Sequence, residues 1–111
     1  MFSLEYLIER HARAVYALAT GFDDARSRLE EAHRHMLGIR LSDYPAHLRD
    51  TRSRIDALLT RLRGRKGYII ADNLRKMRKS SAVEICALIF ELHMALVEHQ
   101  HHLAMQDGAK G

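Results

Sequence analysis

The chain has a single cysteine, a single proline and no tryptophan, and aromatic residues make up only 6% of its 111 residues. One cysteine, Cys86, forms no internal disulfide, which excludes a small secreted fold held by staples. It stands between Ile85 and Ala87 in an apolar stretch, where a cysteine is normally a small buried hydrophobe. Six glycines and one proline are too few for collagen-like or low-complexity sequence. Gly64 and Gly67 match neither the Walker nor the dinucleotide phosphate loop. Strand-like runs are nearly missing: Tyr68-Ile69-Ile70 is the only one. Met1 is followed by Phe2-Ser3-Leu4-Glu5, without a basic leader or cleavage site, so no signal peptide is expected.

What remains is helical spacing. The pattern predicts an all-α fold, a helical bundle of four long helices plus one short basic helix, in one domain over residues 1–105. Residues 106–111 read as a disordered tail. A first helix over Leu4–Thr20 has Ser3 as its cap and Gly21 as a left-handed stop. A second runs over Asp24–Leu37 behind an Asp23 cap. A third starts from a Ser42 or Asp43 cap, tolerates Pro45 in its first turn, and buries Leu48, Ile55, Leu58, Leu59 and Leu62. The short helix covers Ile70–Lys79. Ser81 and Glu84 then form a capping box for a last helix reaching about Ala104.

That last helix is the most apolar segment. From Ala82 to Val97 the polar residues are Glu84, Glu91 and His93. Glu84, Glu91 and Glu98 recur every seven residues and make one narrow wet strip. A helix so apolar is covered on most sides, either inside the bundle or by another chain. It is too polar-striped for a membrane span. The expected function is therefore a non-enzymatic interaction protein. It self-associates as a homodimer, or binds a partner protein, through Leu88, Leu92 and Leu96.

Charge supplies the alternative. Between Arg61 and Lys79 eight cations face one acid, Asp72, which places +7 there in a chain of net charge +4. Arg63, Arg65, Lys66, Arg75, Lys76, Arg78 and Lys79 are the candidate contacts to a nucleic-acid backbone. Tyr68 is the one aromatic among them, so base stacking has little support.

Catalytic and metal chemistry find little material. No cysteine–histidine–acid arrangement for nucleophilic attack is present. His99, His101 and His102 cluster with Glu98, and Glu98 and His102 share a face, yet a structural zinc site needs four ligands. No catalytic residue, cofactor or metal is expected. Arg28 and His33 have the spacing of small helical ribonucleases of the HEPN type, but Leu29 stands where those carry a polar residue. His11 and His93 sit on apolar faces and read as core residues.

Two stretches carry a resemblance. One is Asp24-Ala25-Arg26-Ser27-Arg28-Leu29-Glu30-Glu31-Ala32 with Leu41-Ser42-Asp43-Tyr44-Pro45-Ala46-His47-Leu48-Arg49. The other is Leu74-Arg75-Lys76-Met77-Arg78 with Ala82-Val83-Glu84-Ile85 and Leu88-Ile89-Phe90-Glu91-Leu92. Over residues 4–97 the chain resembles a group of small all-helical bacterial proteins of uncharacterised activity. The resemblance implies a bacterial cytoplasmic protein and carries no site residue across.

Overall fold

A computed structural model describes residues 2–21 and 23–110. It is all-α: 79% helical, with no strand among the described residues. Five α-helices follow in order: α1 Leu4–Thr20, α2 Ala25–Met36, α3 Arg49–Leu59, α4 Ile69–Lys76 and α5 Lys79–Lys110.

Local chemistry sets most boundaries. The Ser3 hydroxyl accepts from the Tyr6 N–H and starts α1. Asp24, not Asp23, starts α2, accepting from the N–H groups of Arg26 and Ser27; an anion there also meets the positive end of the helix dipole. Gly21 ends α1 in an extended conformation, φ −65°, not the left-handed one. Its glycine is required by space instead, since a Cβ there would sit 2.5 Å from Arg28 Cγ. Between α2 and α3 the chain forms two 3-10 turns, Leu41–Asp43 and Ala46–Leu48. Pro45 lies between them, so α3 starts later than the spacing predicts, and it stops at Leu59. Leu48, Ile55 and Leu59 are buried as expected, while Leu58 and Leu62 are half-buried.

The break between α4 and α5 falls earlier than Ser80-Ser81. Met77 is extended, and the Arg78 carbonyl already accepts from the Ala82 N–H at 3.1 Å. Ser81 is thus inside α5 and makes no capping box; Glu84 pairs with Arg54 on α3 at 3.2 Å. At its other end α5 is helical to Lys110, through residues the sequence assigns to a tail; residue 111 lies outside the described residues.

The core is one cluster beneath α5. Ala82, Ile85, Ile89, Leu92 and Leu96 are each at most 1% exposed and meet Leu7, Ala14, Leu29, Ala32, Met36 and Ile55 from the other helices. Each fully buried Leu or Ile contributes about 1.5–3 kcal/mol. α5 packs on α1, α2 and α3, whereas α4 packs on α2 and α3. The basic segment therefore stands at the edge of the core.

Candidate functional site

Three arrangements have chemical content: the outer face of α5, the junction of the α3–α4 loop with α4, and a buried polar chain.

The outer face of α5 overturns one expectation. Leu92 and Leu96 are 1% and 0% exposed, and Leu88 is half-buried. They are held by the protein's own core and offer no free face. The exposed apolar residues are Val83, Phe90, Met94 and Val97, the middle two each 50% exposed, with Ala87 among them. Positions 83, 87, 90, 94 and 97 alternate in steps of four and three. The buried series 82, 85, 89, 92 and 96 alternates in the same way. One helix thus carries two seams with the 3.5-residue period of paired helices. Its own chain fills one. Past Gln100 the helix leaves the body: residues 101–108 are all exposed, Leu103 and Met105 included. A 32-residue helix is about 48 Å long, which sets the 52 Å long axis of the molecule. By length and composition α5 is also the one helix among the described residues able to cross a membrane, contrary to the sequence reading.

At the α3–α4 junction two buried polar residues of α4 hold the loop. The Asn73 carbonyl accepts from the Leu62 N–H at 2.8 Å, and its amide donates to the carbonyls of Leu62 at 2.9 Å and Ile69 at 2.8 Å. Asp72 accepts from the Arg65 N–H at 2.8 Å and from the Arg65 guanidinium at 3.1 and 2.9 Å; Arg75 approaches to 3.6 Å. The Arg65 side chain and N–H hold the Asp72 carboxyl well below the usual carboxylate range. Gly67 takes φ +83° to close the turn, a conformation cheap only for glycine. Gly64 lies so close to α4 that an added Cβ would be 2.8 Å from Ile69 Cα. Gly64→Ala is therefore expected to lower stability by about 1–3 kcal/mol, the usual cost of overpacking, read as a lower urea midpoint.

Arg63, Arg65, Arg75 and Lys76 line one open groove with Gly64 and Asp72. Lys66, Arg78 and Lys79 are exposed but do not line it. Glu30 and Glu31 do not neutralise the groove; both pair with Arg34. Arg75 also borders Asp24, Arg26 and Glu30 across a second depression. Sequence reasoning found the cations and missed Asp72 and Asn73 as the residues that position them. The signal present was one acid alone among eight cations.

The third arrangement joins α1 to α3 through the irregular stretch that carries Tyr44. The Tyr44 hydroxyl accepts from Arg52 at 2.8 Å and lies 2.5 Å from His11 Nε2. Arg52 also bonds Asp56 at 2.9 Å and lies over the Tyr44 ring, 5.3 Å from its centroid. Arg52 donates to the Tyr44 oxygen, and the same hydroxyl makes the one hydrogen bond of the His11 ring at Nε2. His11 Nδ1 is buried and has no partner among the described residues, and the same holds for Nδ1 of His93. Burial, then Arg52 and His93, lower the His11 pKa to about 3, while burial pushes Tyr44 up to about 12. The same burial lowers His33 and His93. This chain has no opening to a substrate: His11 is 0% and Tyr44 1% exposed.

The remaining candidates do not converge. Arg28 lies against Gly21, whereas His33 lines a groove with Thr60 and Leu74. Among the described residues no group of three metal-ligating side chains comes together; His99 pairs instead with His47, ring centroids 5.0 Å apart. Cys86 is half-buried with its thiol pushed up by burial. No family model, curated protein or solved structure matches the chain.

Proposed function

We propose that the chain is a small non-enzymatic helical bundle that self-associates as a homodimer through the outer seam of α5. The carrying observation is the second heptad series, Val83, Ala87, Phe90, Met94 and Val97, left exposed on a helix whose first series is filled. The series continues with the same step through His101 and Ala104, beyond the body. The occupant is a second copy. In an antiparallel pair each extended end lies along the other copy's seam, so both uncovered surfaces are buried by one two-fold contact. A membrane is the poorer occupant. Glu84, Glu91 and Glu98 are exposed along the flank of the same helix, and a carboxylate at mid-bilayer costs about 2.5–3.5 kcal/mol.

Phe90→Glu tests this. The native protein is expected at twice the chain mass in sedimentation equilibrium, without lipid. The variant keeps its helical circular dichroism and sediments as a single chain. Each copy contributes one Phe90, so about 2 kcal/mol per copy amounts to roughly a thousandfold in dimer affinity. A native protein of single-chain mass, or a variant that still dimerises, overturns the proposal.

A further inference from the structure

We infer that the groove formed by Arg63, Arg65, Arg75 and Lys76 is a binding site for the phosphodiester backbone of a nucleic acid, separate from the α5 seam. Four cations from two segments, loop and helix, face one concavity. The only acid among them is 6% exposed at the floor and already accepts Arg65 along both oxygens. The lining therefore keeps a net positive charge of three. The side chains of Arg65 and Arg75 remain 63% and 71% exposed, so their outer N–H groups face solvent. Lys76 donates to the Arg63 carbonyl at 3.4 Å, which draws the two walls together.

The loop is also preorganised. Asn73 fixes Leu62, Asp72 fixes Arg65, and Gly64 rests on α4. Burying an aspartate and an asparagine beside the core is costly unless every bond is made. Here the bonds fasten a loop whose exposed side chains are Arg61, Arg63, Arg65 and Lys66. A fastened loop backbone and an Arg65 guanidinium already held by Asp72 reduce the entropy lost on meeting phosphates. The Arg65 guanidinium lies 4.9 Å from the Tyr68 ring centroid, which flattens the rim. An open, shallow groove of this kind suits a linear polymer of phosphates. It reads charge and not sequence, because base-edge donors and acceptors are not in play. Lys66, Arg78 and Lys79 are exposed and flank the lining residues in sequence.

Fluorescence anisotropy of labelled duplex DNA and of single-stranded RNA, at a series of salt concentrations, tests the site. Neutralising three phosphates, the net charge of the lining, gives a slope near −2.7 for duplex in log affinity against log salt, so a fourfold rise in salt weakens binding about fortyfold. Arg63→Gln/Lys76→Gln is expected to lower that slope by about two, with sedimentation mass and helical signal unchanged. Duplex against single strand shows which polymer supplies the backbone, and binding to either upholds the site. Absence of binding to both at low salt overturns it. So does a double variant with the native slope, or polyglutamate binding as tightly as the nucleic acids, since cations there would mean no discrimination for phosphate.

Discussion

Leu92→Asp is expected to abolish the folded state, not to release a folded single chain. Leu92 is 1% exposed, in the middle of the inner series Ile85, Ile89, Leu92 and Leu96. Removing a buried leucine side chain alone costs about 2–5 kcal/mol. A carboxylate in its place adds the cost of burying a charge within the apolar cluster. A domain of this size has about 5–15 kcal/mol in total. Circular dichroism of Leu92→Asp should therefore show loss of helix at neutral pH. Leu92→Ala should stay folded with a lower urea midpoint. The comparison with Phe90→Glu is decisive, because the two positions are two residues apart on one helix. One substitution should unfold the chain, the other only separate copies. A folded Leu92→Asp would mean that α5 is not packed through its inner series.

That pair of residues also marks how far the sequence alone reaches. All-α architecture, the cap at Ser3 and the burial of α5 follow from local spacing and hydrogen bonding, whereas the cap of α2 is Asp24 and not the expected Asp23. Which of two apolar series faces inward does not. Leu88, Leu92 and Leu96 are the larger aliphatic residues, and Phe90 and Met94 are equally apolar. Only the angle at which α5 meets α1, α2 and α3 decides, and that is a property of the whole core. The α4–α5 break shifted for a related reason. Ser81 and Glu84 have capping chemistry, but an extended Met77 places the first turn before them. The cations of the basic segment were legible as composition. Their convergence depends on Asp72 and Asn73 folding the loop back on α4, a long-range contact that no helical period announces. Tyr44 is the hardest case. It lies in an irregular stretch between two 3-10 turns, yet it is buried and joins α1 to α3. His11 was legible as a core residue; its partner was not.

That buried histidine makes the fold acid-sensitive. His11 is neutral in the native protein, its pKa lowered to about 3 by burial, then by Arg52 and His93. In the unfolded chain it returns to about 6.5. Between these values the unfolded state binds the extra proton, so stability rises with pH there. Going down, the loss begins near pH 6.5 and is complete near pH 3. At 1.36 kcal/mol per unit it amounts to about 2 kcal/mol by pH 5 and about 5 kcal/mol in full. The groups that face His11 all oppose its charging. Arg52 from α3 is cationic, and His93 from α5, whose own pKa burial lowers, disfavours a second positive charge beside it. A charged His11 ring would be a second cation against the Tyr44 oxygen, to which Arg52 already donates. Asp56 does not relieve this, since Arg52 holds it at 2.9 Å. Urea unfolding from pH 7.5 to 4.5 should therefore show the midpoint falling steadily below about pH 6.5. His11→Gln keeps a hydrogen-bonding partner for Tyr44 and cannot titrate. It should start less stable than the native protein and lose less of its stability over the same range. The residual slope would belong to His33 and His93, which burial shifts the same way. An identical pH slope in native and His11→Gln proteins would remove His11 as the source.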